Sequence, residues 1–300
     1  LEVDREALLE LAEVIFNSVK DKVQTRFGET ITAIDDHRDG VSVSLKHGGT
    51  REFDMVVGAD GLHSNVRHLV WGDQASFEKP VGFHVAAFEC RDYPHQDKDV
   101  YVSYTKPGLS ASRFAMRDNR TLVLFIFENE RLKAPLPHDL GTKKAALWDI
   151  FEDMGWEARE MLDAMDDTAE IYLDRVSQAD VPQWSKGRTV LIGDAAACPS
   201  LLAGEGTGLA MTEAYVLAGE LAASGGDIPA AFDAYEKRLR PFIEEKQKSA
   251  RAFASSIAPK TEFGIWLRNM ATHLMVIPPL ADLLIGDTVK DDFDLPDYGI

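Results

Sequence analysis

The chain has 300 residues, 45% hydrophobic and 27% charged, which is enough for one large or two medium domains around a substantial apolar core. Its 50 acidic residues against 32 basic ones give a net charge of −18, and the basic residues are scattered, which excludes the clustered Lys/Arg footprint of a nucleic-acid binder. The only cysteines, Cys90 and Cys198, exclude a disulfide framework and point to a reducing, cytoplasmic setting.

Leu8, Leu11, Ala12, Ile15 and Val19 recur at helical spacing behind Asp4, a residue able to cap that helix. Val23–Phe27 and Thr30–Asp35 are expected to be extended. Turns at Asp39-Gly40 and His47-Gly48-Gly49 flank Val41, Val43 and Leu45, which alternate as in a half-buried strand. Met55-Val56-Val57 is a short apolar strand that ends at Gly58, and a helix is predicted over Leu62–Trp71. A strand that enters a glycine turn and leaves as a helix is an α/β unit, whose ligands favour the carboxyl end of the strand.

From Gly72 to Val176 the pattern becomes β-rich. Strands are predicted at Val81–Cys90, Val100–Tyr104, Ser112–Met116 and Thr121–Phe127, with turns at Pro107-Gly108 and Asp118-Asn119. Helices at Lys143–Met154 and Ala158–Met165 and a strand at Ala169–Leu173 follow. The α/β pattern resumes with the buried strand Thr189–Ile192, then Gly193-Asp194, a loop with Pro199, Gly204, Gly206 and Gly208, and a helix over Leu209–Ala223. Helices continue to the end, with breaks expected at Pro229, Pro241, Pro259 and Pro278. The apolar tail stretch His273–Ile285 is interrupted by Pro278, Pro279 and Asp282 and falls short of the roughly 20 residues needed to span a bilayer.

Two sites carry chemistry. Asp194, just past a buried strand, can accept hydrogen bonds from ligand hydroxyls, and Gly193 lets the backbone approach closely. Gly204, Gly206 and Gly208 leave N–H groups unobstructed at a helix N-terminus, where the dipole favours negative charge. The second site, Asp60-Gly61 with Arg67, reads locally as an N-cap before a helix with a solvated arginine. Two aspartates that each follow a hydrophobic strand, separated by a β-rich stretch, point beyond simple caps. No histidine spacing suggests a metal site, and Cys198 reads as a small packed side chain.

The segment Asp54–Arg67 resembles the Asp-Gly motif of the flavoprotein aromatic hydroxylases, the group A monooxygenases that include para-hydroxybenzoate hydroxylase. Arg188–Leu221 is similar to that family's second flavin motif, Gly-Asp-Ala-Ala followed by Pro and a Gly-x-Gly loop. The order and separation of the two motifs match the family, and the resemblance runs essentially end to end. It implies that Asp194 holds a ribityl hydroxyl of FAD, and that Gly193 admits the backbone beside it. Backbone groups of Gly206, Thr207 and Gly208 would face the pyrimidine end of the ring, Gly204 would also belong to the cofactor-binding loop, and Pro199 would lie beside the ring where oxygen reacts. Asp60 would act near the pyrophosphate, with Arg67 helping to hold that segment, and Arg5 would reach the flavin. Where many relatives have an aromatic residue or His, this chain has Ala197; where they have an uncharged residue, it has Glu205. A carboxylate at 205 would oppose charge on reduced flavin unless it points to solvent.

The family's opening Gly-x-Gly-x-x-Gly unit is not found in the sequence, which begins at Leu1. Truncation is the expectation, with weak FAD retention by these 300 residues alone. The expected fold is therefore α/β: a FAD/NAD(P)-binding Rossmann-like domain, incomplete at its N-terminus, from residues 1–71 and 177–249. An inserted β-sheet substrate domain would occupy 72–176, and C-terminal helices 250–300. The implied function is FAD-dependent monooxygenation of an aromatic or polyketide-like small molecule with NAD(P)H and O2. Another FAD oxidoreductase on the same scaffold, a halogenase or prenyl-lipid reductase, and a non-catalytic protein-binding remnant are the alternatives. Among the middle aromatics, Tyr101, Tyr104, Phe114, Phe125 and Phe127 either line a pocket or form core.

Overall fold

The computed structural model describes residues 5–95, 97, 100–201, 204–274 and 293–299, with the side chains of 5–10 and 255 outside that description. Helix α1 (Arg5–Val19) opens it. Strands β1 (Ile31–His37), β2 (Gly40–Leu45) and β3 (Gly49–Phe53) then form an antiparallel meander, with Val41 and Val43 turned into the core. Val23–Phe27 is not a strand. Val23 is 51% and Phe27 84% exposed, so the segment has neither a buried face nor a partner ladder to make it one.

After β4 (Val56–Gly58) and the short helix α2 (Asn65–Trp71), the chain enters a five-stranded antiparallel sheet. Its members are β5 (Glu78–Arg91), β6 (Tyr101–Lys106), β7 (Leu109–Ala115) and β8 (Arg120–Glu128), with α3 (Leu140–Phe151) and α4 (Ala158–Asp166) placed before β9 (Tyr172–Ala179). The spatial order is β6-β7-β8-β5-β9. The predicted strand at Ala169–Leu173 is displaced: β9 starts at Tyr172 and runs to Ala179, because its second half pairs with Glu78–Pro80 of β5. Asp118 and Asn119 both take positive φ in the β7–β8 turn, as a tight hairpin requires.

The two faces of this sheet differ. Ala86, Phe88, Ala111, Phe125, Phe127 and Leu173 pack beneath α3 and α4, where Phe125 stacks on Phe151 at 4.3 Å between centroids. On the other face, Tyr101 pairs across with Phe114 and Leu122, Ser112 with Leu124, Ala87 with Tyr172, and Val85 with Asp174. Directly paired residues share a face, so these form rows on the side away from α3 and α4. Phe125 and Phe127 are thus core, whereas Tyr101 and Phe114 lie on the opposite face.

The chain next forms β10 (Ser185–Lys186) and β11 (Thr189–Leu191), and β11 returns to pair in parallel with β4. Beyond them come the short α5 (Asp194–Ala197), α6 (Gly206–Ala223), α7 (Ile228–Ile257) and α8 (Glu262–Leu274). Pro241 does not break α7, which is 30 residues long. A proline there forfeits the bond to the carbonyl one turn back. Leu239 and Ile243 on either side are fully buried, and that packing carries the helix through. Pro229 sits in the first turn of α7, where the missing N–H costs nothing. Pro259 follows the helix end as expected, and Pro278 lies outside the described residues. No described helix is long and apolar enough to cross a membrane.

Candidate functional site

The β4–β11 pair places the two aspartate segments side by side. Thr189, Val190 and Leu191 lie opposite Val56, Val57 and Gly58, and the ladder ends with Ile192 N–H donating to the Gly58 carbonyl at 2.9 Å. Asp60 and Asp194 therefore leave the carboxyl ends of adjacent parallel strands, the position at which open α/β sheets receive ligands.

Gly193 has φ 60° and ψ −144°, a conformation essentially confined to glycine, and a side chain there would come 3.1 Å from the Ala210 methyl. The start of α6 packs close for that reason. Asp194 opens α5 and is half-buried. A methyl added at Gly206 would come 3.8 Å from Asp194 Oδ1, so the glycine keeps the space between carboxylate and helix start open. Gly206, Thr207 and Gly208 form the first residues of α6, whose leading N–H groups have no carbonyl one turn behind them. Nothing would meet a side chain at Gly208 or Gly61, which leaves both backbones accessible. Gly204, just before the helix, has φ +69°.

Asp60 works locally. Its Oδ1 accepts from Ser64 Oγ and its Oδ2 from Val66 N–H at 3.0 Å, while Ser64 itself caps Arg67 N–H at 2.9 Å. The aspartate thus shapes the turn after β4 and the start of α2. Arg67 is not on a solvated face: it is 1% exposed and donates to the carbonyls of Leu62 and Ala195. Burial lowers its pKa, against the opposing pull of Asp60 and Glu78. Arg5 begins α1, and its side chain lies outside the described ones.

Pro199 is buried, and its carbonyl accepts from Gln178 Nε2 at 2.6 Å. Gln178 also donates to the Gln247 carbonyl, and Gln247 Nε2 donates to the carbonyls of Ala179 and Cys198 at 2.7 and 3.1 Å. Two buried amides, one on β9 and one on α7, thereby fix the loop from behind. A polar cleft of about 850 Å³ is lined in part by Gln178 and Gln247 of this bracket but includes neither aspartate. Cys198 is buried and its thiol pKa is pushed up by that burial, which fits packing rather than nucleophilic chemistry.

Several residues escaped the sequence reading. Glu213, 1% exposed, accepts from Gly193 N–H at 2.5 Å and from Tyr235 Oη at 3.0 Å. Burial pushes its pKa up to about 7. A usable signal existed, because Leu209, Glu213, Val216, Leu217 and Glu220 follow the buried stripe of α6. His63 contacts Asp174 at 3.0 Å, and Tyr172 reaches the same carboxylate at 3.5 Å. That contact lays the Asp60 segment against the sheet face that carries Phe114, Leu124 and Tyr172. Among the described residues no group of three or more His, Cys, Asp or Glu side chains could hold a metal ion.

The residues present suit a flavin. They offer a carboxylate acceptor for a ribityl hydroxyl, an open glycine backbone, a positive helix end for an electron-rich ring, and a fixed proline wall.

Comparison with known proteins finds a flavin-binding family. A family model described as "FAD binding domain" matches residues 10–250. The chain is 33% identical over 238 residues to Uncharacterized protein Rv1260 of Mycobacterium tuberculosis, covering 79% of this chain and 64% of that protein. It is 30% identical over 304 residues to the FAD-dependent monooxygenase asL6 of Sarocladium schorii, covering 98% of this chain and 71% of the relative. It thus spans somewhat under two thirds of the first relative's length. The crystal structure of tetracycline destructase Tet(55) superposes with a TM-score of 0.78 at 27% identity, over 96% of this chain and 74% of the other.

Proposed function

The chain belongs to the FAD-binding domain family, and on that footing we propose that it serves as an FAD-dependent monooxygenase using NAD(P)H and O2 to hydroxylate an aromatic or polyketide-like small molecule. The observation that carries this reading is the parallel β4–β11 pair, which delivers Asp60 and Asp194 to one edge beside the N-terminus of α6.

FAD, when bound, supplies the redox and oxygen chemistry. The chain's own residues bind, orient and shield. Asp194 accepts a hydrogen bond from a ribityl hydroxyl. Gly206, Thr207 and Gly208 turn their N–H groups and the positive helix end toward the pyrimidine edge, where negative charge collects on reduction. Gly193 and Gly204 give the backbone the bends this approach needs. Asp60, whose two oxygens are engaged within its own turn, serves the pyrophosphate side by shaping the Gly61 backbone, and Arg67 holds that turn to α5. Pro199, fixed through its carbonyl, forms an unyielding wall beside the ring.

The substrate is proposed to lie between this loop and the sheet face bearing Phe114, Leu122, Leu124 and Tyr172. That face offers half-buried Phe114, Leu122 and Leu124 and the exposed ring of Tyr172 beside the small residues Ala87 and Ser112, a suitable floor for a flat ring system. Tetracycline, the compound in the name of one similar structure, belongs to that class. Residues 72–176 would then act as the substrate domain, and 1–71 with 177–249 as the flavin domain. The cytoplasm, where NAD(P)H is available, is the proposed location.

The intact gene product, purified with flavin, should consume O2 and oxidise NADH or NADPH faster when a phenolic or tetracycline-type compound is added, with one oxygen atom recovered in the product. NAD(P)H-driven reduction of an alkene without O2 uptake would assign the scaffold to a reductase, and halide incorporation to a halogenase. Absence of any flavin absorbance would overturn the enzyme reading.

A further inference from the structure

Glu205 occupies the cap position of α6, yet its carboxylate makes no capping bond to that helix. It is drawn instead to Lys246 on α7, with Oε2 3.2 Å from Nζ. The Lys246 side chain is only 9% exposed, and its ammonium stands 5.5 Å from the centre of the Phe242 ring. The neighbouring Gln247 ties α7 to the same loop through the Cys198 carbonyl and to β9 through that of Ala179, and Arg251, one turn further on, holds the Gln178 amide oxygen. Lys246 is therefore presented to Glu205 by a helix whose register against the loop is already fixed.

A carboxylate at a helix cap ordinarily bonds the first N–H groups and sits in the positive field of the helix end. Left to itself, Glu205 would occupy the place that an electron-rich ligand needs, and would repel that ligand by charge. An ion pair between two solvated side chains would change little, but one partner here is buried and anchored.

We propose that Lys246 is a positioning residue for the cofactor loop: it holds Glu205 away from the start of α6 and cancels its charge, which leaves the N–H groups of Gly206, Thr207 and Gly208 to an anionic ligand. This rests on the flavin reading of the loop.

The test uses Lys246→Met, Glu205→Gln and the double variant of the intact gene product. FAD affinity is read by flavin fluorescence, and the reduced-over-oxidised preference by spectroscopic redox titration. Lys246→Met should weaken FAD binding about tenfold, the scale of a helix-end charge in a partly buried setting. It should also shift the preference about tenfold against reduction, which is about 30 mV for a two-electron couple. Glu205→Gln, on a half-exposed loop that tolerates it, should favour reduction. The double variant should return to within about twofold of Glu205→Gln. If Lys246→Met matches wild type, or if the double variant stays as impaired as Lys246→Met, the inference fails while the flavin reading stands. If wild type binds no FAD, the flavin reading fails and takes the inference with it.

Discussion

The guanidinium of Arg67 donates a 2.8 Å hydrogen bond to the carbonyl of Ala195, a residue 128 positions further along the chain, while its other amino group bonds Leu62 in the Asp60 turn. One buried side chain thus joins the turn after β4 to the short helix after β11. The two aspartate segments are adjacent because their strands pair, and they keep a fixed relation because this arginine spans the gap.

Arg67→Met should lower stability by about 3 kcal/mol, since two hydrogen bonds from a charged donor are lost and the Ala195 carbonyl stays buried. Urea unfolding checks this: the midpoint should fall with the slope unchanged. Flavin affinity should fall with it. A variant as stable as wild type would show that strand pairing alone holds the two segments.

Asp194→Ala should weaken FAD binding by roughly 10- to 100-fold, the value of a hydrogen bond to a charged acceptor, and Asp194→Asn by less. Stability should hardly change, because the carboxylate is half-buried at the surface of α5. An unaltered dissociation constant for the alanine variant would remove Asp194 from the site.

Glu213 gives a pH signature. Burial, with a contribution from the Asp194 charge, raises its pKa to about 7 from 4.5, against the bonds from Gly193 and Tyr235. The folded state therefore binds the proton more tightly than the unfolded state between these values. Stability is greatest below about pH 4.5 for this group and declines as pH rises to about 7, by on the order of 3 kcal/mol. Glu213→Gln should flatten that part of the profile. Equal slopes for the two proteins in urea titrations across this range would show that Glu213 is ionised throughout.

The sheet faces can be told apart by truncation. Phe125→Ala should cost about 3–5 kcal/mol, as expected of a fully buried aromatic stacked on Phe151. Phe114→Ala, on the half-buried opposite face, should cost no more than about 1.5 kcal/mol. Equal losses would mean that the Phe114 face is sealed core and has no room for a substrate.

How much of this was legible in the sequence depended on how local the cause was. Met55–Val57 and Thr189–Ile192 could be read as strands, the first ending at Gly58 and the second at Gly193-Asp194, since apolar runs and turns are written in neighbouring residues. The first two strands of the meander, the strands and turns from β5 to β8, and most of α6 followed from the same kind of signal, although α6 begins at Gly206 and not at Leu209. Asp60 could be read as acting locally at the start of α2, because its donors Ser64 and Val66 are close in sequence, although the cap itself is Ser64. Arg67 could not be recognised as buried, because its acceptor at Ala195 lies far along the chain. Gln178 and Gln247 look like ordinary polar residues until β9 and α7 meet. Val23–Phe27 misled for the converse reason: its composition suits a strand, but no strand pairs with it.

The parallel register of β4 and β11 also bears on how the molecule assembles. No hairpin can make such a pair, and the whole five-stranded sheet is strung between its two members. Closing a loop of that length costs entropy before any contact repays it, and non-local pairings slow folding. The hairpins of the intervening sheet are short-range and can form first, which brings the distant strand ends within reach. The cofactor pocket is therefore expected to be among the last parts of the chain to take shape, so mutations in the middle sheet can delay its maturation without touching it.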